Sequence, residues 1–151
     1  MRIDKENQFS NAQAVTATAI SENVIDGVHL SNTLKDLGAG GAPLYLRVQI
    51  DESFATATSV TFALLSDSTT NLATSPTTHW TSGAIAIASL TAGTVVATIQ
   101  LPEAATYERY VGLSYTIGGS NATAGKVTAF LVGNCPAYKA YAPAADSYTG
   151  R

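Results

Sequence analysis

Hydrophobic and polar positions alternate along most of the chain. From Leu44 to Ile50, the residues Leu44, Leu46, Val48 and Ile50 fall on one face, with Arg47 and Gln49 on the other. The run Ser59–Leu64 again puts Val60, Phe62 and Leu64 together, and Ala84–Ala88 alternates small with large. Val95, Ala97, Ile99 and Leu101 interleave with Thr94, Val96, Thr98 and Gln100. Val111, Leu113, Tyr115 and Ile117 do the same against Gly112, Ser114 and Thr116, as do Val127, Ala129 and Leu131 against Thr128 and Phe130. Period two is the strand period, because successive side chains of an extended chain point to opposite faces. These runs therefore predict strands, and weaker patterns at 14–20 and 23–28 predict two more. The expected inward set is Leu44, Leu46, Val48, Val60, Phe62, Leu64, Val95, Ile99, Val111, Leu113, Val127 and Leu131.

The connectors agree with that reading. Gly118–Gly125 is rich in Gly, Ser and Asn between two alternating runs, which predicts a hairpin. Residues 66–79 are rich in Thr, Ser, Asn and Pro and read as a long loop, and Leu90–Gly93 as a short connection. The best helix candidate, Pro102–Thr106, is a single turn. About eight strands with turns at this spacing predict an all-β fold, a sandwich, jelly roll or barrel. The two ends differ from the body. Residues 1–13 are polar and read as an N-terminal arm, 14–133 as the β domain, and 134–151, with Pro136 and Pro143, as an extended C-terminal tail. Aromatic side chains favour burial. Phe9, Tyr138, Tyr141 and Tyr148 are thus candidate subunit or capsid contacts, the alternative being a tail laid back on its own domain.

Composition narrows the function classes. Of 151 residues, 25 are Ala and 20 are Thr, while charged residues are only 13% and aromatics 8%. Thr, Val, Ser and Gly oppose helix, and the charged faces of soluble helices are missing. A helical bundle and intrinsic disorder are both disfavoured. With eight Lys and Arg and a net charge of −3, no basic patch for nucleic acid is expected. No apolar run has the ~18–20 residues of a membrane helix, and the polar opening residues do not form a secretory signal. Between Glu52 and Glu103 only Asp67 carries a full charge. Such a neutral stretch is either a Thr-rich strand surface or a face packed against other copies or a partner.

Candidate chemistry is sparse. The two histidines, His29 and His79, have no second ligand at metal-site spacing. No Gly-x-Ser-x-Gly elbow supports a Ser-His-Asp triad. The one cysteine, Cys135, excludes an internal disulfide and reads as an inert thiol. Leu37–Ala42 is Gly-rich, but Pro43 and a strand follow it where a phosphate-binding loop would open a helix. The sequon Asn121-Ala122-Thr123 lacks a secretion signal. Asp51, Glu52 and Glu103 sit at strand ends, where solvent or subunit contacts explain them more simply than sugar hydrolysis. Trp80 beside His79 offers a sugar-stacking platform or, more simply, a packing anchor.

Several stretches together carry a family resemblance. They are Ile3–Lys5, Phe9–Ala19, Ser21–Asp26, Asp36–Leu46, Ser82–Ile85, Arg109–Tyr115 and Thr123–Ala129. In that order the chain resembles tailed-phage capsid cement (decoration) proteins of the Bordetella-phage type, over residues 3–132. The resemblance implies a jelly-roll β-sandwich on the outer capsid surface of a virion, made in the bacterial host cytoplasm. It implies clamping of adjacent major capsid protein subunits, with no catalysis and no cofactor. Self-association as a homodimer or homotrimer is expected, with no nucleic-acid or membrane partner. The competing expectations are a carbohydrate- or receptor-binding β module of a virion, marked by an aromatic cleft, and a jelly-roll hydrolase, marked by convergent carboxylates.

Overall fold

The computed structural model describes residues 5–27, 43–102 and 106–133. A 3-10 turn at Lys5–Asn7 leads into β1 (Gln8–Ala14), followed by the short β2 (Ala19–Ile20) and β3 (Ile25–Asp26). Then come β4 (Tyr45–Ala55), β5 (Ser59–Asp67), β6 (Thr77–Ala86), β7 (Val95–Gln100), β8 (Tyr110–Gly118) and β9 (Ala124–Val132), with a second 3-10 turn at Ile87–Ser89. All pairings are antiparallel. One sheet has the order β1-β9-β4-β7; the other has β2-β8-β5-β6, with β3 also on β8.

β2 and β3 are two halves of one interrupted strand, since Ala19 faces Tyr115 and Ile25 faces Val111 along the same edge of β8. Ser21 fills the gap: its hydroxyl accepts the Leu113 amide at 3.1 Å and donates to the Asn23 carbonyl at 2.8 Å. With that pair counted once, the strands are nested, first with last: β1 with β9, β2/β3 with β8, β4 with β7, β5 with β6. This is the eight-stranded jelly roll.

The core lies between the sheets. Leu46, Val48, Val60, Phe62, Leu64, Val111, Leu113, Val127 and Leu131 are all buried, as period two requires. Leu44 and Ile99 are half-buried and pack against that cluster. Val95 departs from the expectation and is 42% exposed. It opens the edge strand β7 opposite Gln49, beside the register shift between Val48 and Gln49. Only Ala97 of β7 is fully covered.

Three other expectations change. Phe9 does not lie on a free arm: Gln8–Ala14 is the edge strand β1, and Phe9 is wholly buried in the core of its own domain. Gly118–Gly125 does not close a hairpin. β8 and β9 belong to different sheets, so this turn carries the chain across the ~10 Å between layers. The loop read at 66–79 is shorter, because β5 continues through Asp67 and β6 begins at Thr77.

A buried polar network ties β1 across the sandwich. The Ser10 hydroxyl donates to Gln13 Oε1 at 2.6 Å and lies 2.7 Å from the Tyr115 hydroxyl. Gln13 in turn donates to the Ile20 carbonyl and accepts the Glu22 amide. Tyr115 also meets Phe62 edge-on, with ring centres 5.7 Å apart. Burial raises the Tyr115 pKa, so the phenol stays protonated.

Candidate functional site: the uncharged end of the sandwich

Antiparallel nesting decides which turns meet. The ends of β1, β4, β6 and β8 and the starts of β2, β5, β7 and β9 lie at the same end of the sandwich. Four connections converge there: 15–18, 56–58, 87–94 and 119–123. Backbone hydrogen bonds join them. Ala122 donates to the Thr16 carbonyl at 2.9 Å, Thr123 to Ala55 at 3.1 Å, Thr58 to Gly118 at 2.9 Å and Ile87 to Thr58 at 3.3 Å. Phe54 donates to Leu90 and Val15 to Gly125, so both sheets contribute to one platform.

None of these connections contains Asp, Glu, Lys, Arg or His. Their exposed residues are Thr16, Ala17, Thr18, Thr56, Thr58, Ala88, Ser89, Thr91, Ala92, Gly119, Ser120, Asn121 and Thr123, among others. The nearest charges, Glu52 and Lys126, pair with each other at 2.8 Å on strands β4 and β9. Asp51 accepts the Thr128 hydroxyl, which also accepts the Ala12 amide.

Many polar groups of this end are already satisfied within it. The Thr56 and Thr123 hydroxyls share a hydrogen bond of 2.7 Å, and those of Thr91 and Thr94 one of 3.1 Å. Ser53 Oγ accepts the Ala92 amide at 2.9 Å, and Thr18 Oγ1 accepts the Ile117 amide at 3.0 Å. Thr56 holds a φ of +75°, a region that a β-branched residue rarely occupies. Its cross-link to Thr123 fixes that conformation.

The opposite end is different. Asp67, the one formal charge between Glu52 and Glu103, is fully buried at the base of the loop 68–76. Burial by itself raises a carboxyl pKa, but the Thr74, Thr69 and Ser68 amides and the Ser68 hydroxyl outweigh it and hold this carboxyl below its ordinary value. Thus the lone charge of the neutral stretch closes a turn and is hidden from solvent. His79 lies beside it: Nε2 is 2.7 Å from Ser66 Oγ, and the ring stacks on Tyr107 at 4.2 Å. Burial lowers the His79 pKa against a smaller opposing pull from Glu108, so the ring is neutral at pH 7. Burial pushes the Tyr107 phenol up to about 12.

A Ser–His pair at 2.7 Å invites a catalytic reading, which the geometry does not support. Ser66 is fully buried and its Oγ also accepts the Glu108 amide at 3.0 Å. The neighbouring carboxylate, Asp67, is committed to loop amides rather than to the imidazole. The cluster clamps β5 and β6 to the segment before β8, and Thr77 adds a hydrogen bond to Glu108 at 3.0 Å. Near it, Arg109 makes a two-pronged bond to Asp26 at 3.0 and 2.9 Å and lies over the Tyr110 ring.

Among the described residues no group of three or more His, Cys, Asp or Glu could hold a metal ion, and no helix is long and apolar enough to cross a membrane. Trp80 is half-buried and packs against the core. Phe9 is internal. Tyr138, Tyr141, Tyr148, Cys135, His29, Glu103 and the Gly-rich run 37–42 lie outside the described residues. What sequence reasoning missed is the uncharged end. The charge gap of residues 53–102 signals half of it, but only topology adds 14–19 and 118–125 to the same surface.

Fold and surface together define a jelly-roll β-sandwich with one end free of charge. No curated protein matches the chain. A family model described as Bbp16 matches residues 9–131, and the chain belongs to the Bbp16 family. That membership is consistent with a phage structural protein.

Proposed function

We propose that this protein is a capsid cement protein, which binds the outer surface of a phage head and clamps adjacent major capsid subunits. The observation that carries the reading is the family match across the whole folded domain, from β1 to β9. On this reading its work is binding energy. Packed DNA presses the shell outward, and a bridging protein adds interface that must be broken before subunits separate. Because it binds only the assembled shell, it stabilises that state by mass action. It self-associates as a homodimer or homotrimer, uses no cofactor and performs no catalysis. Its site of action is the virion, after synthesis in the host cytoplasm. A carbohydrate- or receptor-binding role would need an exposed aromatic cleft, whereas Trp80 is packed against the core.

Cryo-microscopy of the parent virion tests the proposal. The expected result is density for this domain on the outer capsid surface, contacting two or more capsid subunits. Capsids lacking it should release DNA at lower temperature. Absence from purified virions, or density confined to the tail, would overturn the reading.

A further inference from the structure

We infer that the uncharged end is the docking surface of the domain, which stands end-on upon a capsid-protein surface that itself presents no unpaired charge. The inference rests on the cement reading and specifies which part of the molecule meets the shell. Three observations carry it.

The first is the charge distribution. Four connections drawn from four regions of the chain meet at one end without an ionisable side chain among them. Of the charges nearest it, Glu52 and Lys126 neutralise each other and the Asp51 carboxylate accepts the Thr128 hydroxyl. A charged group on a partner buried against the four connections would lose hydration and find no counter-charge among them. The end therefore selects a partner patch that is neutral or whose charges are internally paired.

The second is the internal pairing of several of its polar groups. Thr56 with Thr123, Thr91 with Thr94, and Thr18 and Ser53 with backbone amides all have partners inside the end. Each of these hydroxyls keeps one bond when covered, which lowers the cost of drying this surface. A sugar ligand needs an aromatic ring beside its donors and acceptors. The connections 15–18, 56–58, 87–94 and 119–123 contain no aromatic residue. This favours a protein surface over a glycan.

The third is the contrast with the opposite end, where β1 begins and β9 ends. That end is also where Asp26, Arg109 and Glu108 lie. The free edge of β6 is a poorer candidate for strand addition. Its pairing with β5 shifts register twice, between Thr61 and Ala63 and between Leu64 and Leu65. Bulged edges resist pairing with a new strand.

The test uses the full chain and DNA-filled capsids of its own virus depleted of this protein. Ala17→Glu, Ala88→Glu and Ser120→Glu each place a carboxylate on a different connection of the neutral end, at exposed side chains. Ser75→Glu places one at the far end as a control. Circular dichroism and thermal melts establish that all four variants fold. Capsid occupancy is read by co-pelleting across protein concentration, and self-association by sedimentation velocity.

The expected result is a dissociation constant raised about tenfold or more by each neutral-end substitution, with Ser75→Glu like wild type. Wild-type binding should also change little between low and high salt, since few ions are exchanged at such a contact. If wild type binds and all variants bind equally, the docking surface lies elsewhere and the cement reading stands. If the three substitutions break self-association and spare capsid occupancy, the occupant is a second copy and the inference fails. If wild type does not bind capsids at all, the cement reading falls, and the assignment of this end falls with it.

Discussion

Tyr115 and Ser10 offer a sharp test of how the two sheets are held together. A serine hydroxyl has one proton, and that of Ser10 is given to Gln13 Oε1 at 2.6 Å. The 2.7 Å contact between Ser10 and Tyr115 must then be a bond donated by the phenol. Both residues are fully buried, so neither group can turn to water instead. Tyr115→Phe removes the donor and leaves one serine lone pair unused, an expected loss of about 1 kcal/mol. Ser10→Ala is worse. It strands a buried phenol proton and removes one of the two donors to Gln13 Oε1, leaving the Glu22 amide. That should cost about 2–3 kcal/mol. In the double variant the stranded phenol is gone, so the two losses should not add. The coupling energy should be about 1 kcal/mol, read by urea denaturation of all four proteins with fitted slopes held equal. Melting temperatures should fall in the same order, by roughly 2–4 °C per kcal/mol. Additive losses, or a Tyr115→Phe variant as stable as wild type, would refute the proton assignment and the view that this bond ties β1 to the second sheet.

Phe62→Ala, which empties the centre of the core beneath Tyr115, should cost about 3–5 kcal/mol in chemical denaturation. Gly125→Ala should cost about 1–3 kcal/mol beyond its backbone strain, because its new methyl would sit 2.4 Å from the Phe54 ring, while Gly93→Ala, with open space around it, should show the backbone strain of about 1–2 kcal/mol alone. His79 has a pKa lowered by burial, so the unfolded chain binds the proton more readily; its contribution to stability is present above the ordinary value of 6.5 and is lost as pH falls through the lower folded value. Stability measured from pH 7 to 5 should thus decline more steeply in wild type than in His79→Gln, and equal slopes would contradict that account. A chain beginning at Ala12 lacks Phe9 and Ser10 and should melt well below the full chain, whereas an independent arm would be lost without effect.

Legibility followed the physics of each element. β4, β5, β8 and β9 alternate cleanly because one face of each lies on the core, and their inward residues could be named in advance. β1 could not. Its sequence, QFSNAQA, is polar because Ser10 and Gln13 enter the interior as a hydrogen-bonded pair rather than as hydrocarbon. Two register shifts against β9, with Ala12 at φ +49°, also break its period. A strand of this kind reads as an arm. The turn at 118–125 was legible as a reversal, but Gly and Asn announce that a chain turns, not which sheet receives it. The same limit hid the neutral end. Charge gaps are visible along the chain, whereas their convergence depends on which connections the nested pairing brings together.

The nesting of strands also bears on the order in which the molecule assembles. Pairing the first strand with the last in one step would demand closure of a loop nearly as long as the domain, and non-local pairing of this kind slows folding. Yet the innermost pair, β5 and β6, is joined by only the short segment 68–76, whose turn Asp67 fastens through its bonds to Thr69 and Thr74. Once that hairpin exists, β4 and β7 have been brought near each other, then β2/β3 and β8, and finally β1 and β9. Each closure shortens the effective loop of the next, so the entropic penalty is met in small steps. Lesions should therefore divide by kinetic limb. Asp67→Ala, at the inner turn, should chiefly slow refolding, whereas Phe9→Ala, in the strand that docks last, should chiefly hasten unfolding.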